Sequence, residues 1–179
     1  MAPSWEKFVE YRSELVKNGL FSESFNDPLL LISALTRSAF VNEHRNCSQL
    51  VQNGTQDRFH TLGDKILDFV IFDHFSQKSK ESPGIRYSPE QFNRFREIYG
   101  KNEHLHKFSK DVIKLQEFVI WGPDEKKEPR KRWEESDTVL AHLFEALIGA
   151  IYVDMDLEGV KRFIEEIQFF EIMTRLFNP

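Results

Sequence analysis

DRFHTLGDKILDFVI, residues 57–71, places three polar side chains at helical spacing among apolar ones. Asp57, His60 and Asp64 follow one another at i, i+3 and i+7, so they share one face of a helix that we predict over about residues 55–76. A histidine on a mostly apolar helix is more often a satisfied core residue than a ligand, and the two aspartates could simply complement the helix dipole. The segment alone therefore leaves two interpretations open, a structural face or a functional site.

A second predicted helix carries ionisable side chains within an otherwise apolar segment. In VLAHLFEALIGAIY, residues 139–152, His142 and Glu145 are three positions apart. An ionised glutamate inside so apolar a helix is expensive to bury unless another group pairs with it. A divalent metal ion held between two facing helices would satisfy the polar residues of both, as in the carboxylate sites of helical bundles. A metal site between the two helices is thus one hypothesis, beside that of structural histidines.

Composition and charge describe an ordinary soluble protein rather than a strongly basic nucleic-acid binder. The chain has 179 residues, 40% of them apolar and 30% charged, and this length predicts one domain over residues 1–179. The formal net charge is −5, so any contact with nucleic acid must rely on local basic patches. The lone Cys47 excludes an internal disulfide. Since no long apolar run or secretory signal is present, we expect an intracellular, cytoplasmic protein without a membrane partner, and an organelle is left open.

Helical periodicity runs through almost the whole chain, and no segment alternates in the manner of a strand, so we predict an all-α fold. The first helix is predicted over residues 4–19 and the last over about residues 157–177, and a charged, proline-punctuated linker occupies residues 121–136. Helix starts are predicted at Asp27 with Pro28 in the first turn, at Ser88 with Gln91 in capping-box register, and at Ser136 or Asp137.

Four co-linear motifs resemble those of the ribonuclease III family. Residues 57–71 are similar to the family's signature helix, E-R-L-E-F-L-G-D-A-V-L-D, and residues 135–164 look like its E-S-I-L-A-D-x-x-E-A-L-I-G-A-I-Y-L-D-x-G-L-E. NRFREIYGKNEHL, residues 93–105, and FNDPLLLISALTRSAFVNEH, residues 25–44, are similar to two further family segments. Motifs that keep the family's order over nearly the whole chain are specific, unlike one short match. The resemblance implies the all-α ribonuclease III endonuclease-domain fold.

The family's site, carried over residue by residue, falls on the same two helices. The resemblance implies a metal site of four acidic residues, of which Asp64 and Glu145 are kept. His60 stands where the family has Glu, and His142 stands where it has Asp. A further family acid at the start of the signature falls on Asp57. The implied catalytic residues are Asp57, His60, Asp64, His142 and Glu145, and the last four of these are the implied metal ligands.

The two histidines change the metal chemistry that the resemblance implies. In the family, magnesium activates a water for attack on a phosphodiester. Imidazole is a poor exchange for a carboxylate towards magnesium, but it is a good ligand for manganese, iron, cobalt, nickel or zinc. We therefore predict a divergent ribonuclease III-type endoribonuclease that hydrolyses double-stranded or structured RNA with a divalent metal, manganese or another transition metal rather than magnesium. One alternative is a catalytically inactive RNA-binding or ribonucleoprotein structural component, and another is a metal-binding structural dimer without RNA. A further alternative is that the two histidines stack or hydrogen-bond across the site without a metal.

Partners are predicted from the family and from one basic segment. The resemblance implies a homodimer through the signature helix, although Thr61 stands where the family commonly has an interface aromatic residue. We expect no double-stranded-RNA-binding domain, so the domain must supply its own contacts to RNA phosphates. The linker before the second site helix is the best candidate, and a plain solvated loop is the alternative. The candidate RNA-binding residues are Lys126, Lys127, Arg130, Lys131 and Arg132.

Overall fold

The computed structural model describes residues 25–43, 54–82, 84–122, 125, 136 and 138–177. Over these residues the protein is all-α, as predicted, and one isolated parallel bridge joins Thr36 to Ile120. A 3-10 turn spans Leu115–Glu117. The α-helices in the described ranges are α1 (Pro28–Ala34), α2 (Ser38–Glu43), α3 (Gln56–Glu81), α4 (Pro89–Gly100), α5 (Asn102–Asp111), α6 (Val139–Glu166) and α7 (Phe169–Phe177).

Helices α3 and α6 form the centre of the fold, and two glycines let their backbones touch. A side-chain carbon at Gly63 would overlap the carbonyl oxygen of Glu145, and one at Gly149 would overlap the carbonyl oxygen of Phe59. Such an approach is open to glycine because it has no Cβ atom. The remaining helices in the described part of the chain pack around this pair, with α1 and α5 against α6 and α4 against α3. The crossing therefore fixes which side chains of α3 can meet those of α6.

The core is aromatic, in keeping with 17 Phe in the chain. Phe108, Phe144 and Phe169 are completely buried and come from α5, α6 and α7. The rings of Phe144 and Phe169 stack with their centroids 5.7 Å apart, and Phe108 meets Phe169 edge-on at 5.1 Å. Edge-on and offset ring pairs add to the area that such residues bury. This packing anchors α6 at Phe144, which lies between His142 and Glu145 in the sequence.

Two of the predicted helix starts are confirmed. The Asp27 carboxylate accepts a hydrogen bond of 2.9 Å from the backbone N–H of Leu29, and Pro28 occupies the first helical position of α1. At the start of α4, the Ser88 hydroxyl accepts from the backbone N–H of Gln91, whose side chain accepts from the backbone N–H of Ser88 at 2.8 Å. Both caps satisfy N–H groups that the helix itself cannot pair.

The prediction that Ser136 caps α6 is wrong, and its alternative, Asp137, is not tested. Thr138 precedes the first helical residue, and its side chain makes no capping hydrogen bond. The Ser136 hydroxyl instead lies 2.9 Å from that of Thr138, while Asp137 lies outside the described residues. A capping residue is identified from its distance to the first apolar residue of the pattern, and here the helix begins one or two positions later than that distance suggested.

The predicted helix start near residue 157 is confirmed. Asp156 breaks the regular backbone of α6 with a φ of 61°, and its carboxylate accepts from the backbone N–H of Glu158 at 2.8 Å, which restarts the helix. One uninterrupted helix from there to residue 177 is wrong, because a break at Gln168, with a φ of 50°, separates α6 from α7. Amphipathic spacing continues across a single-residue break of this kind, so periodicity does not reveal it. The predicted helix over residues 4–19 lies outside the described residues, and the prediction of one domain over residues 1–179 stays a prediction.

Candidate functional site

Three of the predicted site residues meet where α3 crosses α6. His60 on α3 faces His142 and Glu145 on α6, and one potential ligand atom from each of the three lies within 4.8 Å of the others. The Nε2 atom of His60 is 3.4 Å from Oε2 of Glu145. The two imidazole centroids are 4.2 Å apart, with their planes tilted by 44°. The sequence predicted that these residues belong together. They meet because the glycine contacts between α3 and α6 bring the two helices close to each other.

Glu145 is the most buried member of this cluster, with 4% of its surface exposed. Burial raises the pKa of Glu145 to about 8, and the negative charges of Asp64 and Asp68 raise it further, while Lys65 opposes them. Without a cation nearby, this carboxyl group is therefore mostly protonated at neutral pH. A bound divalent ion would favour the ionised form, so the group offers a ligand that is coupled to the loss of a proton.

His142 is held in its neutral form. Burial lowers the pKa of His142, and electrostatic interactions with His60 and with Arg37 lower it further, although Asp57 and Asp64 oppose them. A neutral imidazole keeps a free electron pair on one nitrogen, which is the form that binds a metal. Two imidazoles and one buried carboxyl at this spacing are groups that could together hold a divalent metal ion.

Asp64, the fourth predicted ligand, does not belong to the group of atoms that converge. It lies one helical turn after His60, and its Oδ2 atom contacts Nζ of Lys65 at 2.7 Å. Its charge still acts on the cluster, since it raises the pKa of Glu145 and opposes the lowering of the pKa of His142. The structure thus places Asp64 beside the cluster and paired with a cation.

Asp57 lies in the first turn of α3 and is exposed. Its carboxylate accepts a hydrogen bond from the Ser38 hydroxyl and another from that of Thr55 at 3.4 Å. The Ser38 hydrogen bond is the main reason that the pKa of Asp57 is lowered, so the group stays ionised. Asp57 is therefore tied to α2 and to the helix start, and it acts on His142 through its charge rather than as a member of the cluster.

Two cations near the cluster were not predicted from the sequence. Arg37 lowers the pKa of His142 and forms a 2.9 Å ion pair with Glu125. A residue of the segment 25–44 therefore lies near enough to act on the site through its charge. Lys65 pairs with Asp64, and the signal in the sequence was its place directly after a predicted ligand. The five basic residues predicted to bind RNA, between Lys126 and Arg132, lie outside the described residues.

Comparisons with known proteins agree with this architecture. Residues 27–172 match the model of the family described as Ribonuclease-III-like. "Ribonuclease 3" of Streptococcus pyogenes serotype M5 (strain Manfredo) and that of serotype M49 (strain NZ131) are each 30% identical to the chain over 148 residues, which is 82% of this chain and 58% of the relative. The chain therefore spans 58% of the length of these curated relatives.

Two solved structures share the fold. Both are nuclease domains of ribonuclease III from Campylobacter jejuni, and one concerns structural flexibility in the region involved in dimer formation of that protein. That structure has a TM-score of 0.69 and 22% identity and covers 88% of this chain and 98% of its own. The other, at 2.2 Å resolution, has a TM-score of 0.66 and 21% identity and covers 93% and 96%. No helix among the described residues is long and apolar enough to cross a membrane, and the intracellular location stays a prediction.

Proposed function

Since the chain belongs to the ribonuclease-III-like family, we propose that it is a divergent ribonuclease III-type endoribonuclease that hydrolyses phosphodiesters in double-stranded or structured RNA. The single observation that carries this proposal is the convergence of His60, His142 and Glu145 where α3 crosses α6. Two of these positions are carboxylates in the family pattern, and here they are imidazoles that still point at the same centre. A surface that had merely lost its acids would not require three ligand atoms to remain within 4.8 Å of one another.

The ligand set supports a transition metal as the cofactor. His60, His142 and Glu145 would hold the ion, Asp64 is a fourth candidate, and manganese, cobalt, nickel or zinc suits imidazole better than magnesium does. When bound, such an ion supplies an activated water and stabilises the negative charge that develops on the phosphate. The protein's own part is to bury Glu145, to keep His142 neutral and to release the Glu145 proton when a cation arrives.

RNA contact is proposed for the linker that precedes α6. Lys126, Lys127, Arg130, Lys131 and Arg132 lie just before the helix that carries His142 and Glu145 in the sequence. Arg37, about a fifth exposed and paired with Glu125 of the same linker, adds a cation beside the site. Neutralising phosphates with such residues gives an affinity that falls as salt rises.

A homodimer through α3 is proposed as the functional assembly. Phe69 on α3 is 50% exposed, which is unusual for so large an apolar side chain, and it lies two turns after the exposed Thr61. A two-fold contact between the α3 helices would cover it. Phe69→Glu should therefore shift the mass measured by light scattering towards the monomer, and an unchanged dimer or a monomeric parent would argue against this interface.

Cleavage assays with several metals test the proposed activity. Purified protein is incubated with double-stranded RNA and magnesium, manganese, cobalt, nickel or zinc, and EDTA is added to parallel samples. We expect EDTA-sensitive cleavage that is greater with manganese or cobalt than with magnesium, and its loss in Glu145→Gln and His142→Ala. The absence of EDTA-sensitive cleavage in every metal would refute the endoribonuclease.

A catalytically inactive RNA-binding component is the second candidate, and the internal pairing of the site favours it. His60 and Glu145 contact each other at 3.4 Å, the imidazoles of His60 and His142 lie against each other, and Asp64 has a lysine partner. The polar groups are thus partly satisfied without an ion. This candidate predicts salt-sensitive RNA binding that survives His142→Ala and Glu145→Ala and disappears when the five basic residues of the linker are neutralised.

A further inference from the structure

Lys65 occupies an unusual place, because it pairs with the one predicted ligand that stays outside the converging cluster. Its Nζ atom lies 2.7 Å from Oδ2 of Asp64, and the side chains of Lys65 and Asp64 are 66% and 36% exposed. The next acid along α3, Asp68, is already engaged by the Nε atom of Arg96 at 3.0 Å. Lys65 therefore has Asp64 as its available carboxylate partner on this helix face.

Asp64 is close enough to the cluster for its alternative position to matter. It follows His60 by four residues and so lies on the same face of α3. Its charge is felt by both Glu145 and His142 on the opposite helix. Yet the group whose ligand atoms lie within 4.8 Å of one another comprises His60, His142 and Glu145, without Asp64. A change of χ1 rotamer is the movement that would carry the Asp64 carboxylate from Lys65 towards a bound cation.

We propose that Lys65 is a positioning residue that holds Asp64 out of the metal's ligand set and so keeps a coordination position open. This inference rests on the metal binding proposed above. In zinc proteins, three protein ligands with an open position are typical of catalytic sites, whereas four protein ligands are typical of closed, structural ones. In this chain the ammonium group of Lys65 decides between an open and a closed site, because it holds the neighbouring Asp64 away from the metal.

The expected effect is moderate because the pair is exposed. Pairs of this kind contribute little individually, and salt screens them. Loss of the Lys65 charge also removes a cation that a bound metal ion would repel. We therefore expect Lys65→Met to bind Mn²⁺ about three- to tenfold more tightly than the parent protein.

Two measurements on the full chain test the inference without relying on activity. The affinity for Mn²⁺ is obtained from the electron paramagnetic resonance signal of the free ion, and the number of metal-bound waters is obtained from water-proton relaxation. Lys65→Met should bind Mn²⁺ more tightly and with fewer bound waters, because Asp64 takes the open position. Lys65→Arg, which keeps the charge, should resemble the parent protein.

Matched variants separate this role from a general loss of charge. Lys78→Met removes the same charge from the same helix about 20 Å away, so its Mn²⁺ affinity should stay at the parent value. In the double variant Lys65→Met/Asp64→Asn, the gain in affinity over Asp64→Asn alone should shrink, because the effect of Lys65 passes through Asp64. Thermal unfolding of each variant verifies that it folds.

The outcomes distinguish this inference from the proposed function. If the parent protein and all variants fail to bind Mn²⁺, the proposed metal centre is wrong and the role of Lys65 is refuted with it. If the parent binds Mn²⁺ but Lys65→Met has the same affinity and the same number of bound waters, only the role of Lys65 is refuted. A full gain that persists in the Asp64→Asn background would also overturn it.

Discussion

His60 and His74 are two histidines on the same helix, α3, with different surroundings. His60 meets another imidazole and a carboxyl group, with its Nε2 atom 3.4 Å from Glu145. His74 instead stacks flat on Phe170, with ring centroids 3.7 Å apart and planes within 8°. Its Nε2 atom is buried, and no hydrogen-bond partner for it occurs among the described residues. A half-buried histidine is therefore a candidate metal ligand when other potential ligands surround it, as they surround His60. When aromatic side chains surround it, as for His74, it serves only in packing.

The two regions also respond to pH in opposite directions. Burial lowers the pKa of His74 to about 4, so the folded protein resists its protonation. Burial raises the pKa of Glu145 to about 8, so the folded protein resists its ionisation. Acid should thus lower the stability that the packing of His74 on Phe170 contributes. Alkali should lower the stability of the metal-free cluster that contains Glu145.

The largest effect is expected from Gly63→Ala, which attacks the crossing of α3 and α6. The added carbon would overlap the carbonyl oxygen of Glu145, and backbone atoms cannot move aside as a side-chain end can. We expect a loss of about 3 kcal/mol or more in the free energy of unfolding, measured by urea denaturation. At Gly100 the nearest atoms to an added carbon are 3.7 Å away, so Gly100→Ala is the matched control and should be tolerated. Equal losses in both variants would contradict the close contact.

Glu145→Gln should change how stability depends on pH, with the next largest effect. The folded-state pKa of Glu145 is about 8 and the unfolded-state value is near 4.5, so the unfolded protein ionises first. Its contribution is therefore fully present below about pH 4.5 and is lost as the pH rises towards and through 8. In metal-free buffer, Glu145→Gln should recover about 2 kcal/mol relative to the parent between pH 5 and 8.5. Parallel pH profiles for the two proteins would show that the group is not buried in this way.

His74→Phe should act at the other end of the pH range, with a smaller effect. The unfolded protein takes up a proton near pH 6.5 and the folded protein only near 4, so the contribution of His74 is present above 6.5 and is lost as the pH falls through 4. Because His74 is only partly buried, we expect this loss to be about 1 kcal/mol. His74→Phe keeps a ring against Phe170 and should flatten the acid limb of the stability profile. An acid limb identical to that of the parent would argue against a neutral, packed His74.

His60→Phe should have the smallest effect on the stability of the metal-free protein. The side chain of His60 is about a third exposed, and a phenyl ring can replace the contact with His142, so the expected change is within about 0.5 kcal/mol. The rise in melting temperature that Mn²⁺ gives the parent should, however, disappear. His74→Phe is the matched control and should keep that rise. If both variants keep it, His60 is no ligand and the distinction between the two histidines fails.

Much of the fold could be predicted because its signals are local. Asp27 with Pro28 and Ser88 with Gln91 announce helix starts through hydrogen bonds that form within one turn. The predicted helix start near residue 157 agrees with the break at Asp156, whereas the break at Gln168 was missed because amphipathic spacing is the same on both sides of it. At the site, helical spacing placed His60 with Asp64 and His142 with Glu145, and the resemblance to ribonuclease III joined the two pairs. Spacing could not show that Asp64 contacts Lys65, since neighbours in a helix rarely face each other and the pairing depends on side-chain rotation.

By itself, the sequence determined the all-α class, the two helices that carry the site and the identity of their polar residues, because helical periodicity and capping act over a few residues. Only the tertiary structure decided that His60, His142 and Glu145 form a cluster from which Asp64 is held apart. That decision depends on the close approach of two backbones at Gly63 and Gly149. It also depends on which charged groups lie close enough to interact electrostatically after folding has excluded water from around them. The backbone approach and these interactions both join residues that are far apart in the chain.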